Sequence, residues 1–246
     1  MEQNLKKFLT ASKLKNWLAC NYTIINEINK KELKKRDSSK TEEIRKQRGD
    51  EFEEKIYKKL QKKYPNNIKI KNDELKIKKT KEALENGHDL IHKAYFEFEG
   101  WRGEIDFLIK NQTKKTKKGN FIYEVYDTKL SSFPKTEHII QICIYSDWLA
   151  NFYHDGELSE HMYLILGNGK EKKYKINDYF DYYKKNKSNY INFIKNDHLI
   201  KNTFPEKCSF CKMCDWSDIC KEKWLKVDHL NQIANIRKDQ IKKIKY

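Results

Sequence analysis

No apolar run in this chain approaches the about 20 residues needed to cross a bilayer. Its first residues, Met1-Glu2-Gln3-Asn4-Leu5-Lys6-Lys7, lack the apolar centre of a secretory signal. These absences predict a cytoplasmic protein with no membrane partner. Structural disulfides are rare in that compartment, so the six cysteines need another explanation. Apolar residues are also scarce: of 246 residues, 38% are hydrophobic and 36% charged. Aromatic residues, at 13%, offset part of that deficit because each buries a large area. One folded domain over residues 1–246 is expected, with a modest core and a very polar surface. Arginine is nearly missing too, being found only at Arg36, Arg45, Arg48, Arg102 and Arg237. The net charge of +16 is therefore carried by lysine. Lysines facing phosphates release counterions, which points to a polyanion partner. Abundant Lys, Ile, Asn and Tyr also reflect a base-composition bias that would make any protein basic. Charge alone does not identify the partner.

Apolar spacing predicts a helix over 8–34, with Cys20 inside it, and a charged break from Lys34 to Lys40. A second helix is predicted from Thr41, as cap, to Lys63, with an apolar stripe of Ile44, Phe52, Ile56 and Leu60. Gly49 interrupts that helix and requires a reason. Strands are predicted near Ile68–Ile77, over Asp89–Phe98 and over Arg102–Ile109, the last two joined at Glu99-Gly100. A polar loop from Asn111 to Asn120 leads to a strand over Phe121–Thr128. Then follow a helix over Glu137–Asn151, a strand over Met162–Leu166 ended by Gly167-Asn168-Gly169, and helices over Asp178–Lys195 and from Trp216 onward. A central mixed sheet flanked by helices gives an α/β fold, with α+β as the other arrangement of the same elements.

The chemistry-bearing residues lie at strand ends. Alternate side chains of a strand share a face, so Asp127 and Lys129 point the same way and Thr128 the other. Asp106, in Gly103-Glu104-Ile105-Asp106, sits on a neighbouring strand. Mg²⁺ takes oxygen ligands and keeps several waters, so two or three carboxylates suffice to hold it. A lysine beside the metal can orient or deprotonate a water and offset developing charge. A lone Asp-X-Lys is more often an ordinary polar strand end. Here it stands in an ordered series. Gly49-Asp50-Glu51-Phe52-Glu53 precedes the strands on a helix, and Gln141 and Tyr145 follow, four apart on one helix face. By strand and helix period, Glu54 and Glu124 face elsewhere, while Glu104 shares the face of Asp106 if the strand is regular.

In this order and spacing the chain resembles the PD-(D/E)XK nuclease superfamily, in its RecB-like branch with an iron–sulfur cluster. That branch includes CRISPR-associated adaptation nucleases and the AddB nuclease domain, and a RecB-like nuclease family of unassigned role is the nearest likeness. The resemblance covers most of the chain, including the tail around Asp228-His229-Leu230 and Gln240. It implies a restriction-endonuclease-like core over about 41–166, with metal held by Glu53, Asp106, Asp127 and the backbone carbonyl of Thr128. Lys129 would be catalytic together with Asp106 and Asp127, and Mg²⁺ or Mn²⁺ the cofactor. Gln141 and Tyr145 would lie along the nucleic acid or brace the site, and Arg102 would contact the nucleic acid. Many RecB-like enzymes carry His where this chain has Glu53, which is still a hard oxygen ligand. The implied activity is hydrolysis of phosphodiester bonds in DNA, as a single-strand exonuclease of repair, recombination or mobile-element processing. A helicase, another repair protein or further domains of a longer chain would be partners, since the chain ends within a helical segment, Ile233–Tyr246.

Cys208, Cys211, Cys214 and Cys220 form a dense cluster whose spacing suits either zinc or an iron–sulfur cluster. The resemblance implies a 4Fe–4S cluster on Cys20, Cys211, Cys214 and Cys220, stapling 8–34 to 204–246 and leaving Cys208 spare. Zinc is the alternative, and Cys20 is otherwise a plain buried thiol. Cys143 reads as core. His88, His92, His138 and His161 read as surface or core residues, and Tyr179–Tyr183 with Tyr190 as a packed helix face rather than a base-stacking surface. Lys114–Lys118 suits either phosphate contact or a solvated loop. A non-catalytic nucleic-acid-binding module of a larger assembly is the competing function, and a zinc-ribbon protein the third.

Overall fold

The structure is a computed structural model and describes residues 8–30, 33–36, 40–113 and 121–244. It is an α/β fold. Six strands form one mixed sheet in the order in which they occur along the chain. They are β1 (Asn67–Lys69), β2 (Leu90–Phe98), β3 (Trp101–Asn111), β4 (Ile122–Lys129), β5 (His161–Leu166) and β6 (Glu171–Lys175). Pairing is parallel between β1 and β2 and between β4 and β5, and antiparallel elsewhere. Helices α1 (Ala11–Ala19), α2 (Tyr22–Ile28) and α3 (Lys40–Lys63) precede the sheet. The crossovers are α4 (Lys76–Glu85) and α5 (Thr136–Phe152), which parallel pairing requires. After the sheet come α6 (Asn177–Lys195), α7 (Asp197–Asn202), α8 (Ser217–Lys226) and α9 (Lys238–Ile244).

Each face of the sheet is covered, which is why its central strands are apolar almost throughout. On one face, Ile91, Leu108, Tyr123 and Val125 meet Leu14 of α1, Ile142 and Trp148 of α5, and Tyr183 and Tyr190 of α6. On the other, Leu90, Phe107, Ile109, Tyr126, Tyr163 and Ile165 meet Tyr57 of α3. The stripe Phe52, Ile56 and Leu60 packs against this second core, while Ile44 is left exposed. Among the tyrosines of α6, Tyr183 and Tyr190 are packed as its spacing predicts, Tyr183 donating to Asp147 and Tyr190 to the carbonyl of Phe8, whereas Tyr182 is exposed.

Several elements differ from the sequence expectation. The single helix over 8–34 is two, broken at Cys20, whose extended backbone ends α1. Helix α3 starts at Lys40, so Thr41 lies inside it. The short strand expected within Ile68–Ile77 is β1, at Asn67–Lys69, and α4 begins at Lys76, within the same segment. Strand β6 was not anticipated: its sequence, Glu171-Lys172-Lys173-Tyr174-Lys175, is almost wholly charged because it is a solvent-facing edge. The tail is not one helix, since α8 stops at Lys226 and a 3₁₀ turn at Leu230–Gln232 precedes α9. Lys114–Lys118 lies outside the described residues.

Candidate active site

The site forms where the sheet comes apart. Strands β3 and β4 pair from Asn111–Ile122 as far as Phe107–Tyr126, and the ladder stops one step before Asp106 and Asp127. On the other side of β3, pairing with β2 skips Lys93 and Asp106, between the pairs His92–Phe107 and Ala94–Ile105. Lys93 has φ 63°, a left-handed conformation that a non-glycine residue holds only at a cost of about 1–3 kcal/mol. Freed from both ladders, Asp106 uses its side chain in place of backbone pairing. Its Oδ2 accepts from the Thr128 N–H at 2.7 Å and from the Thr128 hydroxyl at 2.6 Å.

Asp127 is 1% exposed, and its Oδ2 is ion-paired with Lys129. The two side chains therefore share a face. Asp127 Oδ1 is buried and accepts no hydrogen bond among the described residues. Burial and the neighbouring Asp127 push Asp106 up to about 7. Burial also raises Asp127, against the pull of Lys129. Burial works to lower Lys129, but Asp127 and Asp106 more than offset it, so the ammonium is held above its ordinary range.

Glu53 reaches the same end of the sheet from α3, but both its oxygens are engaged. Oε1 meets His92 Nε2 at 2.7 Å, and Oε2 accepts from Lys93 Nζ at 2.9 Å. Burial opposes the charge on Glu53, yet His92 and Lys93 outweigh it and lower its pKa. Burial lowers His92, against the pull of Glu53, which suits a neutral ring donating from Nε2. Nδ1 has no partner among the described residues, and the ring lies between Tyr57 and Phe107, at centroid distances of 4.1 and 4.9 Å. Lys93 also bonds Glu104 at 2.6 Å. Glu54 pairs with Lys69 at the surface, and Glu124 is buried beside His161, away from the site.

Gln141 and Tyr145 meet on α5, Gln141 Nε2 donating to the Tyr145 hydroxyl at 2.8 Å. Tyr145 forms one wall of a cavity of about 580 Å³ that also touches Gly103, Glu104, Arg102, Tyr95 and Lys76. Gly103 is required by packing: a Cβ there would lie 2.9 Å from Phe96 Cε1. Arg102 is exposed at the start of β3.

Two functional candidates escaped the sequence reading. One is His92, whose type and place in a strand suit a surface or core role, and which touches Glu53. The other is Lys15 on α1, lowered by burial and by Lys129 and raised by Asp127. No motif marks it; the only signal is a lysine adjoining the buried stripe residue Leu14.

Cys20, Cys208, Cys211, Cys214 and Cys220 lie where the segment after α1 meets the segment around α8, with Cys214 and Cys220 buried. Cys208 Sγ lies 3.8 Å from Cys211 Sγ and 3.7 Å from the Ala19 carbonyl, and the neighbouring Cys208 thiol pushes the Cys20 thiol up. Cys220 accepts from Asn26 at 3.9 Å. Cys208, spare in the implied ligand set, is thus central in the structure. Cys143 is buried in the core of α5.

Among the described residues, no group of three or more His, Cys, Asp or Glu side chains is arranged to hold a metal ion. The donor chemistry can still be judged. Asp106 and Asp127 offer hard oxygens, one of them buried and without a donor, which fits a divalent cation held by two carboxylates. The thiols fit a soft metal by ligand type only. No protein-family model matches the chain, and no curated protein is significantly similar to it.

Proposed function

We propose that the protein is a Mg²⁺- or Mn²⁺-dependent deoxyribonuclease with a restriction-endonuclease-like core, acting on single-stranded DNA ends. The observation that carries this reading is the Asp106–Asp127 pair. Two carboxylates are forced together at a break in the sheet, one with a buried unpartnered oxygen, and a lysine is fixed beside them. An arrangement that raises both carboxylates is unfavourable for the fold alone and is relieved by a cation.

Asp106 and Asp127 would hold the ion, with Glu53 and the Thr128 carbonyl beside them. Bound there, a divalent cation supplies a water of lowered pKa and neutralises phosphate charge. The chain's own residues do the rest. Asp106 fixes Thr128 and so the end of β4. Lys129, held protonated by its two carboxylates, orients the attacking water by donating to it and offsets charge on the phosphate; it is not poised to take a proton. Arg102 and Lys76 on the cavity rim face the strand, and Gln141 holds the hydroxyl of Tyr145 at the cavity wall. Four of Cys20, Cys208, Cys211, Cys214 and Cys220 would carry a 4Fe–4S cluster, or zinc, joining the terminal segments.

Cleavage of end-labelled single and double strands with Mn²⁺, after anaerobic purification, tests the reading. Lys129→Ala should abolish cleavage and leave folding and iron content unchanged; full activity in that variant would refute the assignment. One observation favours a second reading, a non-catalytic nucleic-acid-binding module: Glu53 is already satisfied by His92 and Lys93. Tight DNA binding with no calorimetric signal for Mg²⁺ or Mn²⁺ would decide for it.

A further inference from the structure

Residues 130–135 join the catalytic strand β4 to α5, and this loop is held at every turn. The Gly167 N–H donates to the Ser131 carbonyl at 3.1 Å, and Asn168 Nδ2 to the Ser132 carbonyl at 3.2 Å. The Ser131 hydroxyl closes onto the Phe133 carbonyl at 2.8 Å. At the far end the Lys135 N–H donates to the buried His138 ring at 3.3 Å. The approach to the β5–β6 turn is so close that a Cβ on Gly167 would fall 2.1 Å from the Leu130 carbonyl oxygen. Leu130 itself reaches α3 at Gly49, one helical turn before Glu53. The loop is therefore wedged at the acid end of the sheet.

This fixed loop presents Phe133 to solvent at 78% exposure, more than any other large apolar side chain described. A single exposed apolar residue is ordinary on a mobile surface. Here the backbone that carries it is pinned from both sides, four residues beyond Lys129, with Lys135 exposed beside it. A rigid aromatic ring next to cations is what sequence-tolerant binding of single strands uses, because every base has a π-face and every linkage a charge. We propose that Phe133 is a stacking platform for an unpaired base of the strand whose backbone lies at Asp106 and Asp127. The proposal rests on the nuclease reading and names its substrate as unpaired rather than duplex at this position.

The test is binding of the full chain, without divalent metal, to an oligothymidylate and to an abasic deoxyribose-phosphate strand of equal length. In Phe133→Trp, the added indole emission, taken against the wild-type background of five tryptophans, should be quenched by the base-bearing strand and not by the abasic one. Phe133→Ala should weaken oligothymidylate binding roughly 5- to 150-fold, the equivalent of ~1–3 kcal/mol per stacked base. It should leave abasic binding and the melting temperature unchanged, while Phe133→Tyr binds like wild type. If the oligothymidylate binds but quenches nothing, and Phe133→Ala binds it normally, the platform is wrong and the nuclease reading stands. If wild type binds neither strand and also fails to cleave with Mn²⁺, the nuclease reading falls and the platform with it; if it binds neither yet cleaves, the platform alone is wrong.

Discussion

The acid cluster has two halves, and they are built on opposite principles. In the Glu53 half, every charge is met by the protein: His92 and Lys93 take both oxygens of Glu53, and Lys93 also takes Glu104. In the Asp106–Asp127 half, two carboxylates share one lysine, and a buried oxygen is left over. The first half has a lowered carboxylate pKa and the second raised ones, though both lie at one end of one sheet. A carboxylate that the protein neutralises itself is a scaffold; one it leaves in deficit is a receptor for something positive. On the proposed function, the pair at the sheet break is where an external cation would gain most.

The sharpest test of that contrast is activity. Lys129→Ala should reduce cleavage by at least ~100-fold, the scale of losing one transition-state donor. The same change at Lys93, Lys93→Ala, should act mainly on melting temperature. Equal losses of activity would erase the distinction between the halves.

Next in size is Gly167→Ala. The Leu130 carbonyl cannot accept a Cβ at 2.1 Å, so the loop after β4 must shift. A loss of ~2–4 kcal/mol in denaturant unfolding is expected, with activity falling further than stability explains. Wild-type stability would show that this loop is not pinned.

The two halves should also titrate in opposite directions. Glu53 lies below its ordinary 4.5, so its contribution is present above that pH and is lost as pH falls through its folded value. Asp106 is raised from 3.8 to about 7, so its protonated form favours the fold at low pH and that advantage disappears as pH rises through this window. Melting temperatures of metal-free protein should therefore drop between about pH 4 and about pH 7. Asp106→Asn should flatten that slope, and Mn²⁺ should restore stability at the alkaline end. A slope unchanged in Asp106→Asn would place the deficit elsewhere.

The smallest effect concerns Gly49. Helix α3 runs through it unbroken, and a Cβ would make only an ordinary contact with Leu130 at 3.9 Å. Gly49→Ala should stabilise the protein by roughly 0.5–1 kcal/mol, read from thermal or denaturant unfolding. Destabilisation would mean the loop after β4 needs the space.

What could be read from the sequence follows from range. Strands β2 to β5 and helices α3, α5 and α6 carry their own periodicity, and their bounds fall within about two residues of expectation. Strand β6 and helix α4 do not: one is charged because it is an edge, and the other begins in a charged segment whose Leu75 and Ile77 alternate as a strand's residues would. Asp106, Asp127, Lys129, Gln141 and Tyr145 could be placed by spacing within a strand or a helix turn. The partners of Glu53 could not. Its contact with His92 spans 39 residues and depends on the left-handed turn at Lys93, which no residue type announces. Lys15 feels the charges of Asp127 and Lys129 because α1 packs on α5, a placement its own sequence does not reveal.

The sheet keeps its strands in chain order, so each strand finds its partner in the segment just before or after it. The contact between the chain's ends is of another kind: the Cys208 thiol reaches Ala19 across 189 positions, and the Tyr190 hydroxyl reaches Phe8 across 182. Closing so long a loop is slow relative to neighbour pairing. During synthesis, the acids of β3 and β4 leave the ribosome and can pair while the cysteine segment is still being made. Helix α1, which bears Lys15, can already pack on α5 and α6, and that segment adds its contact at Ala19 only at the end. Assembly is then a matter of timing, with the termini as its last event.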